Sequence, residues 1–160
     1  MTFYNKGTQS PTTATLACDG TMNAYVDGKK IEKEKIDRII AEEYAIPVGS
    51  SVLAIRCERE TLVARILGMI GNKTMLSGSN QWLCTNQYYE QWNTSHFVNS
   101  SWTPGVSVVK NLHENTIPYG RVVNISSEAA WIGTGKNSTE NNTLYCRVQL
   151  CQMTKCMLKI

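Results

Sequence analysis

The segment "SVLAIRCE", residues 51 to 58, decides the fold. Successive side chains of an extended strand point to opposite faces. Val52, Ala54 and Arg56 therefore share one face, and Leu53, Ile55 and Cys57 share the other, which is expected to meet the core. Working outward, similar short runs rich in β-branched and aromatic residues follow: "NAYVDG", "GRVVNIS", "AAWIGT" and "TLYCRVQL". Between them lie turn signals such as "CDG", "VDGKK", "PVGSS", "SGSN", "NSSWTPG" and "GTGKNSTENN". Many short strands at this spacing predict an all-β sandwich or barrel. Met22 to Val26 reads as a strand with Asn23 and Tyr25 on one face. Asp27-Gly28 reads as its hairpin turn. One segment differs: "IEKEKIDRIIAEEYAI" sets Ile36, Ile39, Ile40 and Tyr44 on one helical face. A short helix near 33–43 is expected there, with a strand burying Ile40, Tyr44 and Ile46 as the alternative.

The length of 160 residues favours a single domain spanning 1–160. The net charge is +3 and the basic residues are scattered, which argues against a nucleic-acid partner. The most apolar run, "LVARILGMI", is interrupted by Arg65 and falls short of the roughly 18 residues of a membrane span. Residues 1 to 15 lack the apolar middle of a signal peptide, so the chain is either cytosolic or a mature form with an added Met1.

Two features favour a secreted, extracellular protein. The first is six cysteines: Cys18, Cys57, Cys84, Cys146, Cys151 and Cys156. An even number on a small chain suggests disulfides, and Cys57 with Cys84 is the expected pair. The second is the Asn-x-Ser/Thr glycosylation pattern at Asn72, Asn93, Asn99, Asn124, Asn137 and Asn141. Chance placement gives roughly two such triplets in a chain of this composition.

Several motifs lead nowhere. "IGTGKNST" lacks a phosphate loop's spacing: Ala130 stands where a Gly is needed, and Asn137 follows Lys136. Cys146, Cys151 and Cys156 lie five apart, outside structural zinc spacing. Asp19, Asn23 and Asp27 do not make a calcium loop, because position six is Ala24 and position twelve is Lys30. No Gly-x-Ser-x-Gly elbow occurs, and the two histidines, His96 and His113, lie in turn-like contexts. No catalytic residues are expected, and the chain does not read as an enzyme.

Aromatic residues and amides are the remaining signal. "SNQWLCTNQYYEQWN" and "SSWTP" interleave Trp and Tyr with Asn and Gln. Sugars present apolar CH faces and fixed hydroxyls, so their sites combine an aromatic platform with amide or carboxylate groups. The competing role for Trp82, Trp92, Trp102 and Trp131 is core packing.

The order of these motifs resembles the galactose-binding-like jelly-roll module, as found at the front of bacterial rhamnosidases and in extracellular animal proteins. That family shows Asp-Asn, a strand with Tyr-Val and a turn; here it reads "DGTMNAYVDG". "VGSSVLAIRC", "SNQWLC", "EQWNTSHFVNSSWTPG", "PYG", "AAWIG" and "LYCRVQ" follow in the family's order, from about 17 to 149. The family Asn is Gly20 here. The resemblance implies an antiparallel jelly-roll sandwich and a lectin for galactose-like or related sugars, either assisted by calcium as a cofactor or calcium-free. Asp19 is then the hydroxyl acceptor or calcium ligand, and Trp82 or Trp102 the stacking platform. Gln81, Asn86, Arg121 and Glu128 are further contacts. Glycans or glycoproteins would be the partners. A small module needs valency, so a homodimer is expected. The alternatives are an adhesion or matrix module that binds protein, and an accessory domain of a glycoside hydrolase.

Overall fold

The computed structural model describes residues 12–31, 41–60, 63–71, 75–112, 121–135 and 142–150. These residues form two antiparallel sheets and contain no helix. In chain order the strands are β1 (Thr12–Cys18), β2 (Thr21–Val26), β3 (Lys29–Ile31), β4 (Glu42–Ile46), β5 (Val52–Glu58) and β6 (Ile66–Ile70). There follow β7 (Met75–Leu76), β8 (Trp82–Thr85), β9 (Thr103–Pro104), β10 (Val106–Lys110), β11 (Ala130–Gly133) and β12 (Thr143–Gln149). The first sheet runs β10-β11-β6-β1-β4, with β7 beside β6. The second runs β3-β2-β5-β12-β8-β9.

The alternation in "SVLAIRCE" lands as read. Leu53, Ile55 and Cys57 join the core between the sheets, and Val52 and Ala54 pack on the outer face of the second sheet. Asp27 and Gly28 form the β2–β3 turn with φ of 48° and 83°. Positive φ at both positions matches the twist of the flanking strands, which is why Asp-Gly sits there. The Asp27 carboxylate also accepts from the Ser51 and Val52 amides, tying this turn to the start of β5.

The helix expected near 33–43 is not found in the described part. Residues 33–40 lie outside the described residues, and Glu42–Ile46 is β4. There Tyr44 and Ile46 point into the core, as the strand alternative required. "GRVVNIS" does not form the expected strand: residues 121–126 contain no strand, with a turn at Val123 and Asn124 and a bend at Ile125. Buried Asn111 explains this. Its Nδ2 donates to the carbonyls of Val122 and Ile125, both at 2.9 Å, and its Oδ1 accepts from the Val122 amide at 2.8 Å. Val122 and Ile125 are thereby held against Trp131, Leu67 and Ala17, covering the outer face of the first sheet.

The cysteine pairing also corrects the expectation. Cys18 bonds Cys57, linking β1 of one sheet to β5 of the other. Cys84 bonds Cys146, its direct cross-strand neighbour, with Cα atoms 4.2 Å apart. Cys57 and Cys84 cannot pair, because β12 lies between β5 and β8. Two strand spacings alone separate them by about 9 to 10 Å, and their β12 partners, Leu144 and Cys146, are offset by two residues as well, which is beyond the ~7 Å that a disulfide spans. Cys151 and Cys156 lie outside the described residues.

Candidate functional site

Asp19 follows β1 at one end of the sandwich, and its side chain is fully buried. Its Oδ1 accepts from the Arg65 amide at 2.8 Å, and its Oδ2 from Arg59 Nη1 at 3.1 Å. The neighbouring Gly20 is needed by packing: a Cβ there would stand 2.1 Å from the Glu58 carbonyl oxygen. The position where the resembled family carries Asn therefore has no room for a side chain. Asp19 is a structural anchor, not an exposed sugar contact. Cys18, Asp19 and Cys57 bring potential metal donors within 4.8 Å of one another. The two sulfurs are bonded to each other, however, and a guanidinium lies against the carboxylate. A hard cation needs several oxygen ligands, so this cluster does not fit calcium.

The other expected contacts are dispersed. Trp82 is fully buried between the sheets, so tightly that a Cβ on Gly68 would lie 2.3 Å from its ring. It offers no face to a ligand. Trp102 is buried with Trp92, Tyr89 and Phe97 on the outer face of the second sheet. It packs the segment 86–102 there and is no platform either. Asn86 donates to the Thr143 carbonyl at 2.9 Å and accepts from the Thr134 hydroxyl, bridging three strand ends. Gln81 is exposed before β8, at the start of the strand that Asn86 follows. Arg121 and Glu128 belong to the segment over the first sheet, the half-buried one and the exposed one respectively. These residues do not converge on one place.

What does converge is a row across the second sheet. Asn23 pairs with Arg56, Arg56 with Tyr145, and Tyr145 with Thr85. Their neighbours in the strands are core-facing, so all four point outward. The next row adds Thr21, Glu58 and Thr143. The segment 86–102 covers the rows nearer Val52 and Ala54. Asn23, Arg56, Thr85, Glu58 and Thr143 are only partly buried and Thr21 is exposed. At the margin the Tyr88 ring lies 6.1 Å from that of Tyr145 and is 62% exposed.

The shelf is electrically balanced. Arg56 Nη2 lies 2.5 Å from Glu58 Oε2. Partial burial acts to lower the Arg56 guanidinium, but hydrogen bonds to Tyr145 and Glu58 outweigh it and hold it above its usual range. Arg56 is thus a fixed cation that donates, beside a carboxylate that accepts. Chemically, the shelf offers amide, guanidinium, carboxylate and hydroxyl groups next to one exposed aromatic face.

The sequence places Arg56 opposite the core-facing residues of β5, but says nothing of what stands beside it. That needs the order β2-β5-β12-β8 and its register. No family model, curated protein or solved structure matches this chain.

Proposed function

We propose that this chain is an extracellular carbohydrate-binding protein, without catalytic activity, that takes neutral, galactose-like sugars on the outward shelf of Asn23, Arg56, Glu58, Thr143 and Tyr88. One observation carries the reading: partly exposed hydrogen-bonding groups lie in register over neighbouring strands beside an exposed tyrosine ring. A sugar needs that combination, with hydroxyls held by paired donors and acceptors and CH groups on an aromatic face. Because Arg56 is matched by Glu58, the shelf favours a neutral ring over an acidic one. The chain's repeated crossing between the two sheets supports a jelly-roll path. Two disulfides support an oxidising, extracellular compartment, and a homodimer would present two shelves to one glycan surface.

A glycan array run with calcium and then with a chelator tests the reading. Binding to galactose-containing glycans that survives chelation is expected, since the shelf needs no metal. An array without hits in either condition removes it. A second reading, a protein-binding adhesion module, has one observation of its own: Val106 and Val108 are exposed on β10, an edge strand. Capture of a protein partner unaffected by free galactose would favour it.

A further inference from the structure

Three glycosylation triplets lie among the described residues, and their surroundings differ. Asn93 sits between Trp92 and Thr94, whose carbonyls both accept from the buried Arg147 guanidinium. The Thr94 hydroxyl donates to the Gln91 carbonyl at 2.9 Å. The Asn99 carbonyl accepts from the amide of buried Trp102 at 3.0 Å. Both asparagines are half-buried in the segment that seals the outer face of the second sheet. Asn124 is exposed, in the left-handed region at φ 74°, at a tip between two buried anchors, Val122 and Ile125.

The tip has an apolar neighbourhood. Val123 is 70% exposed and Leu112 is 43% exposed. In sequence, Val123 adjoins Val122 and Leu112 adjoins Asn111, the two members of one hydrogen-bonded pair. Apolar side chains standing in water beside an acceptor asparagine match the CH faces of a linked sugar. Asn124 overlies the first sheet, whereas the proposed shelf is on the outer face of the second.

We propose that Asn124 carries an N-linked glycan whose first sugars lie over Val123, on the face of the sandwich away from the binding shelf. The Asn124 amide nitrogen bonds the sugar anomeric carbon of a lipid-linked oligosaccharide as the bond from that carbon to the pyrophosphate oxygen breaks; the lipid pyrophosphate leaves, and the proton lost from the amide nitrogen passes to solvent. The proposal rests on the extracellular part of the reading above and not on sugar binding.

The test is expression of the full chain behind a cleavable leader in cultured animal cells, with medium and cell fractions both mapped. Enzymatic release in heavy-oxygen water converts an occupied Asn to labelled Asp. Label at Asn124 in either fraction, with one glycan lost in Asn124→Gln, is expected. Unlabelled Asn124 in both fractions overturns the proposal. The covering role is read separately, from hydrophobic-dye binding by the folded protein. Asn124→Gln should bind more dye than wild type, and Val123→Lys added to it should restore the wild-type level. Equal dye binding by wild type and Asn124→Gln overturns the covering role. A glycan array without hits leaves this result standing, so the two readings fail independently.

Discussion

Arg147 and Trp92, 55 residues apart in the chain, are joined by a 2.5 Å hydrogen bond from the arginine Nη1 to the tryptophan carbonyl. The same Nη1 reaches the Thr94 carbonyl at 3.1 Å, and the guanidinium lies 5.0 Å from the centre of the Phe97 ring. Burial pushes the Arg147 guanidinium below its usual range. This cation fastens the segment 86–102 over Val52, Ala54 and Tyr145. Arg147→Met keeps the apolar stem and leaves two carbonyls without their donor. The expected cost is about 1–3 kcal/mol, with faster proteolysis within 86–102 and red-shifted tryptophan fluorescence. Unchanged cleavage and emission would show that the aromatic packing alone holds the segment.

The disulfide pairing is open to direct mapping. Non-reducing peptide analysis should return Cys18 with Cys57 and Cys84 with Cys146. Each closes a long loop, of 39 and 62 residues respectively. Chain entropy then assigns about 4 kcal/mol to each. Paired replacement of Cys18 and Cys57 by Ala should lower stability by an amount of that order. A Cys57–Cys84 peptide would contradict the strand order itself.

Part of this was legible beforehand. The alternation at 52–57 and the Asp27-Gly28 turn are local signals, each fixed by one strand's geometry. Pairing is not local. Cys84 finds Cys146 because β8 and β12 are neighbours, and Asn23 finds Arg56 because β2 and β5 are. Neither adjacency is written in the residues themselves. Trp82 and Trp102 illustrate a different limit. Composition marks an indole as valuable but does not say whether it packs or binds, and here close approach of Gly68 buries one while Phe97 and Tyr89 bury the other. "GRVVNIS" has the β-branched residues of a strand, yet the buried side chain of Asn111 takes the backbone groups that a strand partner would need.

Gly68 is held small by Trp82. Gly68→Ala would put a Cβ 2.3 Å from the indole ring, forcing the two sheets apart locally. Overpacking of this kind costs about 1–3 kcal/mol. The measurement is denaturant unfolding of the variant, with Gly68→Ala/Trp82→Leu as the relieving double substitution. A double variant no more stable than the additive sum would mean that the strain lies elsewhere.

Tyr44 gives a pH signature. It is buried on β4, and burial, helped by Glu42, raises its phenol to about 12 from the ordinary 10.0. The folded state therefore holds its proton where the unfolded chain loses it. Stability from this group is complete below pH 10 and declines as pH rises from 10 towards 12, by roughly 2 kcal/mol in all. Thermal melts from pH 9 to 11.5 should show a smaller alkaline loss in Tyr44→Phe than in wild type. Parallel curves for the two proteins would exclude Tyr44 as the source.

The shelf makes the most specific prediction about binding. Arg56 and Glu58 are outward-facing and partly exposed, so removing either should spare the core. Arg56→Ala and Asn23→Ala should each weaken galactose binding by about tenfold, the effect of losing one charge-assisted or paired hydrogen bond of about 1.5 kcal/mol. Their unfolding curves should stay near wild type. Glu58→Gln tests the charge balance. It removes the anion that matches Arg56, leaves a net positive shelf, and should shift preference towards acidic sugars while neutral ones bind less well. The shift should shrink with added salt, because exposed charges are screened over about 10 Å at 0.1 M. Titration of galactose and of galacturonate against wild type and Glu58→Gln, at low and moderate salt, reads this directly. If all three variants bind as wild type does, the sugar site is not this row of the second sheet.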